Sequence, residues 1–137
     1  MKPRTRNALL WTVQVLLAAL FLFAGYAKLD MSGDILAKAT GLPATFMRFI
    51  AVCELLGAIG LVLPGLLKIR RSLTPLAASG LAIIMVGATT LTLMEQPAVM
   101  AVLPFITGVL ATLVARARRH WREPVLTSNN GALRRAA

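Results

Sequence analysis

Residues 53–65 read CELLGAIGLVLPG and place one carboxylate, that of Glu54, in a segment that otherwise contains only apolar residues and glycine. The surrounding apolar run extends over residues 46–67, which suits a helix that crosses the hydrocarbon core of a bilayer, since such a helix takes about 20 residues. Ionisable residues inside that core are costly and face a bundle interior or a watery cavity. The segment therefore predicts a spanning helix whose charged residue needs a partner from another part of the chain.

Three further apolar runs of similar length accompany this segment, at residues 8–27, 73–94 and 98–115. Hydrophobic residues form 58% of the chain and charged residues 15%, a balance typical of membrane proteins and not of water-soluble domains. We expect an all-α fold, an integral membrane bundle of four transmembrane helices in one domain at residues 1–122. Pro104 predicts a kink in the last helix. Residues 123–137 show no apolar period and are expected to form a disordered cytoplasmic tail.

The basic residues predict the orientation of the bundle. Every lysine and arginine except Lys28, Lys38 and Arg48 lies before the first run, between the second and third runs, or after the fourth. Short cytoplasmic segments retain Lys and Arg, and an even number of spans puts these three segments on one side. We therefore expect both termini to be cytoplasmic. The formal charge of +10 does not indicate nucleic-acid binding, because such a surface needs its basic residues on one folded face.

Glu54 is predicted to lie near the middle of the bilayer. Counting about 1.5 Å per residue from the start of its run, it sits roughly 12 Å below the outer edge of a core about 30 Å thick. Lys28 and Tyr26 end the first run and Thr89 lies in the outer half of the third, so these side chains are the candidate partners. Lys28 is best placed, since its flexible stem can reach inward. Two interpretations stay open: a polar clasp that holds the bundle together, or the mouth of a small-molecule or proton-accessible pocket.

Small residues predict where the helices touch, because they let neighbouring backbones approach closely. Ala51, Glu54, Gly57 and Ala58 share one face of the second helix, so the carboxylate should point into a packed seam. The predicted helix-packing positions on the first three helices are Gly25, Gly57, Gly60, Gly80 and Gly87.

The sequence offers few groups for catalysis. Its one histidine, His120, and its one cysteine, Cys53, lie in different segments, so we find neither metal-ligand spacing nor a disulfide pair. Phosphate-binding loops, nucleophile elbows and dinucleotide fingerprints are absent as well. We therefore predict no catalytic residues and no metal ligands, and expect no enzymatic activity of the chain on its own.

Three segments in order carry a family resemblance: FLFAGYAKL at 21–29, ELLGAIGLVLPG at 54–65 and LTPLAASGLAIIMVGA at 73–88. Together they resemble the DoxX-like family of four-helix bacterial membrane proteins over about residues 9–115. By this resemblance the family's lysine falls on Lys28 and its acid on Glu54. Many relatives carry a Thr-His pair near the outer end of the third helix, where this chain reads ATTLTLMEQP. That departure removes the histidine that a ligand site or proton relay there would use.

The resemblance also implies a function. Similar proteins include the small membrane subunit of an archaeal thiosulfate:quinone oxidoreductase, and others associate with membrane redox or detoxification systems. It implies a multi-pass protein of the bacterial cytoplasmic (inner) membrane, a non-catalytic bundle subunit that contacts lipid and a membrane or peripheral oxidoreductase. Its candidate ligand, a quinone or another small hydrophobic molecule, would bind near Glu54. Two alternatives stay open: a carrier or channel for a small solute gated by Glu54 and Lys28, and a structural or assembly protein.

Overall fold

A computed structural model describes residues 2–122 and 135–136 of the chain. This part contains five α-helices and two short 3-10 turns. The helices are α1 (Pro3–Asp30), α2 (Gly33–Thr40), α3 (Ala44–Leu67), α4 (Leu73–Glu95) and α5 (Val102–Ala117), and the turns are Ala98–Ala101 and Arg119–Arg122. The tail predicted at 123–137 lies outside the described residues, apart from 135–136.

Four helical segments are long and apolar enough to cross a membrane: α1, α3, α4 and Ala98–Ala117, which joins the first turn to α5. The predicted all-α fold with four candidate spans is therefore confirmed. Helix α1 begins before the predicted residue 8, because Pro3 suits a first helical turn, where its missing N–H is not needed.

Pro104, the predicted site of a kink, lies near the start of α5. The chain makes a 3-10 turn at Ala98–Ala101 and α5 starts at Val102, which puts Pro104 in the first turn of that helix. A proline ring is tolerated there, because no hydrogen bond to a preceding carbonyl is required of it.

The helices pack in the order α1, α3, α4, α5, and α5 also touches α1. Helix α2 lies across one end of the bundle and packs against α3 and α4, with Leu36 buried beneath it. We call this the α2 end and the opposite one the amino-terminal end. The apolar core between the long helices consists of Leu17, Ala18, Phe21, Ala58, Leu61, Ala78, Leu81, Met85, Ala111 and Val114.

Three of the predicted packing glycines lie at tight helix contacts. A methyl group at Gly25 would come within 2.9 Å of the carbonyl oxygen of Ala51, which no side-chain rotation can relieve. A methyl group at Gly57 would lie 2.6 Å from Leu81, and one at Gly60 would lie 2.8 Å from another helix's methyl group.

Gly80 and Gly87 differ from this expectation. Both are exposed, and a methyl group at either would meet no atom within 4 Å. Their small size marks a face of α4 that no other described helix covers, because α3 and α5 pack on its other sides.

This contrast predicts opposite effects for one substitution. Gly25→Ala should lower the free energy of unfolding by about 1–3 kcal/mol, as expected for overpacking against a fixed backbone. Gly87→Ala should leave it unchanged or raise it by up to about 1 kcal/mol, since alanine is the better helix former. Unfolding of both variants in mixed detergent micelles measures this, and equal losses would contradict the packing described here.

Candidate functional site

Lys28 and Glu54 form a buried ion pair between α1 and α3. The Lys28 Nζ lies 2.8 Å from Oε1 and 2.7 Å from Oε2 of Glu54, so one ammonium group donates to both carboxylate oxygens. The Glu54 side chain is 1% exposed, whereas that of Lys28 is 24% exposed. The lysine therefore separates a fully buried carboxylate from the space above it.

The local geometry of the two helices directs these side chains toward each other. The chain passes through α1 toward the α2 end and through α3 away from it, and Gly25 sets the two helices close together at Ala51. Helical side chains lean toward the amino terminus of their own helix. Lys28, in the last turn of α1, thus leans into the bundle, while Glu54 on the antiparallel helix leans back toward it.

The other two residues predicted for this cluster lie elsewhere. Tyr26 is 65% exposed on the outer surface of α1, so the structure does not bring its hydroxyl into the pair. Thr89 donates to the backbone oxygen of Met85 at 2.7 Å and lines a different cavity, between α4 and α5. Of the four residues predicted for this cluster, the structure brings Lys28 and Glu54 together.

A small cavity lies above the pair at the α2 end, and we call it the vestibule. It has a volume of about 190 Å³, and its walls include Lys28, Thr40, Met47, Thr92 and Glu95, from four helices. Glu54 does not line it, so the carboxylate communicates with this space only through Lys28. The vestibule is open to small polar molecules but is smaller than the roughly 300–1,000 Å³ of most ligand pockets.

This volume bears on the quinone suggested near Glu54. A substituted quinone ring with its tail belongs to the size class of ordinary ligand pockets. The vestibule offers less space, and its wall carries a carboxylate, two threonine hydroxyls and the amide of Gln96. These residues fit a small polar molecule better than a quinone.

A second buried polar cluster lies at the amino-terminal end, centred on Arg118. Its side chain is 4% exposed and donates from Nε to Gln14 Oε1 at 2.9 Å and from Nη1 to Asn7 Oδ1 at 2.8 Å. Gln14, itself fully buried, donates to the backbone oxygen of Leu61 at 2.6 Å. The guanidinium also lies 5.7 Å from the centre of the Trp11 ring. The cluster joins α1, α3 and the end of α5.

Burial lowers the pKa of the Arg118 guanidinium, and the positive charges of Arg6 and Arg71 lower that pKa further. The three basic segments of the chain thus meet at one end of the bundle. The amide oxygens of Gln14 and Asn7 accept hydrogen bonds from Arg118 there.

Sequence reasoning grouped Arg118 with the other basic residues after the fourth run and missed its burial. The helical spacing of the sequence could have indicated that Arg118 is buried. Thr107, Ala111 and Val114 form the buried face of α5, and Arg118 continues that face at helical spacing. A basic residue in phase with a buried stripe is expected to point inward.

Buried apolar side chains separate the two polar clusters. Leu17, Phe21, Ala58 and Leu81, each no more than 7% exposed, lie in the core between Lys28–Glu54 and Gln14–Arg118. In the described part of the chain the two clusters therefore do not form one continuous polar path.

Comparison with known proteins gives one match. A model of the DoxX-like family matches residues 12–114, which is most of the chain. The chain belongs to the DoxX-like family. No curated protein and no solved structure is similar enough to match it. The matched range contains the Lys28–Glu54 pair and Gln14, whereas the DoxX-like match ends before Arg118 and begins after Asn7.

The ion pair predicts an asymmetric double-mutant cycle. Lys28→Met leaves a fully buried carboxylate without its partner and should cost about 3–5 kcal/mol of unfolding free energy. Glu54→Gln should cost less, because the released ammonium can reach the vestibule. The double variant should be more stable than the sum of the two losses predicts.

Lys38→Met, at an exposed lysine of α2, is the matched control and should stay within about 0.5 kcal/mol of the original protein. Reversible unfolding in mixed micelles measures the four variants and the original protein. Additive losses, or a Lys28→Met loss equal to that of the control, would show that the pair contributes nothing to stability.

Proposed function

We propose that this DoxX-like protein is a non-catalytic bundle subunit that works with a redox or respiratory partner and recognises a small polar ligand in the vestibule. The observation that carries the proposal is the Lys28–Glu54 pair at the floor of that cavity. Intramembrane ion pairs are costly and mark functional sites more often than chance. The partner is suggested by the family resemblance.

The geometry of the pair favours recognition over acid–base catalysis. Both Glu54 oxygens accept hydrogen bonds from one ammonium group, so the carboxylate is already neutralised and is poorly placed to take a proton from a substrate. Lys28 has three N–H donors, and two of them serve Glu54. The third can serve a ligand in the vestibule.

Other residues of the vestibule wall supply groups that complement the Lys28 donor. Thr92 donates its hydroxyl proton to the backbone of Ala88 at 2.8 Å and keeps lone pairs that can accept. Glu95 adds an acceptor, and Gln96, which donates to Ala39 of α2 at 3.4 Å, fixes the wall. A small molecule with both donors and acceptors suits this lining.

The carrier or channel alternative receives less support. A solute gated by Glu54 and Lys28 would next meet Phe21, Ala58 and Leu81, whose side chains are at most 1% exposed. Passage would require these helices to separate, whereas binding at the vestibule requires no such movement.

We further propose that the amino-terminal end of the bundle faces the bacterial cytoplasm. The hydrogen bond from Arg118 to Asn7 and the proximity of Arg71 support one common side for the three basic segments. Basic segments that flank spanning helices stay on the cytoplasmic side.

Reporter fusions test this orientation. A reporter that is active only in the cytoplasm should be active when it is fused at Ala137. A reporter that is active only after export should be active when it is inserted next to Ser32. Export of the reporter at Ala137 would reverse or reject the proposed topology.

The functional proposal predicts a selective effect of filling the vestibule. Thr92→Leu places a larger apolar side chain on its wall and removes a hydroxyl, so a bound small polar molecule should be lost. Thr12→Leu is the control, because Thr12 is an exposed threonine of α1 with the same hydrogen bond to its own helix. The full chain would be purified in mild detergent and analysed by mass spectrometry for proteins and small molecules.

We expect an oxidoreductase subunit to co-purify in near-equal amount with the original protein and with the Thr12→Leu variant. The retained small molecule should disappear with Thr92→Leu alone. Absence of both from the original protein would overturn the proposal. Solute uptake into vesicles that depends on Glu54 would favour the carrier instead.

A further inference from the structure

A groove runs along the outer seam between α4 and α5, away from the Lys28–Glu54 site. It consists of two cavities of about 510 Å³ and 360 Å³ that share Thr112 and Arg116 in their walls. We call the pair the α4–α5 groove. Its larger part falls within the volume range of ligand pockets, roughly 300–1,000 Å³.

The walls of the groove are apolar along most of its length. They include Met85, Phe105, Val109 and Leu113. The groove also contains threonines, but Thr89, Thr90 and Thr112 each donate their hydroxyl proton to the carbonyl four residues earlier, at 2.7–2.9 Å. Such a surface suits a hydrocarbon chain.

One end of the groove is basic. Arg116 lines both cavities and Arg119 lines the smaller one, and both are exposed. No acidic residue lines either cavity. The described acidic residues are Asp30, Asp34, Glu54 and Glu95, on the helices and loops toward the α2 end. The charge at the basic end is therefore not matched by a neighbouring carboxylate from the groove.

The dimensions match one leaflet of a bilayer. From Pro104 to Arg116 helix α5 rises roughly 18 Å at 1.5 Å per residue, and half of the hydrocarbon core is about 15 Å thick. An occupant with an acyl chain beside Phe105 would thus carry its polar group near Arg116 and Arg119.

We propose that the α4–α5 groove binds one anionic phospholipid, with an acyl chain along the apolar wall and the phosphate at Arg116 and Arg119. Charge complementarity selects this occupant. A second copy of the chain, packed on the same face, would bring two identical basic ends together, and a quinone offers no negative charge to them. The site is independent of the vestibule and of the proposed partner.

Lipid binding to the full chain tests this directly. The probes are phosphatidylglycerol and phosphatidylcholine with identical acyl chains, counted and titrated by native mass spectrometry of the detergent-purified protein. The first lipid should bind about fivefold more tightly as phosphatidylglycerol, since one basic side chain near a surface contributes about that factor. Equal affinity for the two lipids would overturn selection by charge.

Matched variants separate the two halves of the site. Arg116→Gln should weaken phosphatidylglycerol binding about fivefold and phosphatidylcholine binding less, because the choline cation offsets the phosphate charge. Arg4→Gln, at an exposed basic residue outside the groove, should change neither. Thr112→Phe should weaken both lipids because it fills the groove, and Thr12→Phe should not.

Two results would overturn the proposal. One is that Arg116→Gln, or the surface variant Arg119→Gln, binds phosphatidylglycerol with the same affinity as the original protein does. The other is full competition by glycerol phosphate at the concentration of the lipid, because the headgroup alone would then account for binding. Thermal unfolding of each variant without added lipid shows whether it is folded before the titration.

Discussion

The unfavourable burial of the Glu54 charge constrains much of this bundle. A cation within hydrogen-bonding distance stabilises a carboxylate that is 1% exposed, and Lys28 is the lysine that α1 supplies. For Lys28 to reach it, α1 and α3 must be antiparallel and nearly in backbone contact, which the missing side chain at Gly25 permits. The ion pair and the close contact at Gly25 both fit one register of these two helices.

At the amino-terminal end the buried charge is that of Arg118, and its hydrogen-bond partners are of a different kind. Arg118 donates hydrogen bonds to the amide oxygens of Gln14 and Asn7. Burial lowers the pKa of its guanidinium, and the charges of Arg6 and Arg71 lower that pKa further. Lys28 and Glu54 thus balance each other's charge, whereas at the amino-terminal end three basic side chains come together.

Much of the fold could be predicted from the sequence, because helix length and apolarity are properties of contiguous residues. A Lys28–Glu54 pairing could also be predicted, since a charge in an apolar run has few available partners. The faces of α4 could not be predicted in this way. Small residues at Gly80 and Gly87 indicate a smooth helix surface, but the sequence does not say whether a neighbour covers it. Thr89 likewise has a suitable depth for the site and yet lies on the α5 side of its helix.

The Gln14–Arg118 hydrogen bond also has a consequence for how the protein is made. Its two residues are 104 positions apart, so a ribosome that adds about 5–20 residues per second completes Arg118 roughly 5–20 seconds after Gln14. During that interval Gln14 lacks this hydrogen-bond partner. Lys28 and Glu54, 26 positions apart, can meet much earlier. Helices α1 and α3 are thus both synthesised before Arg118.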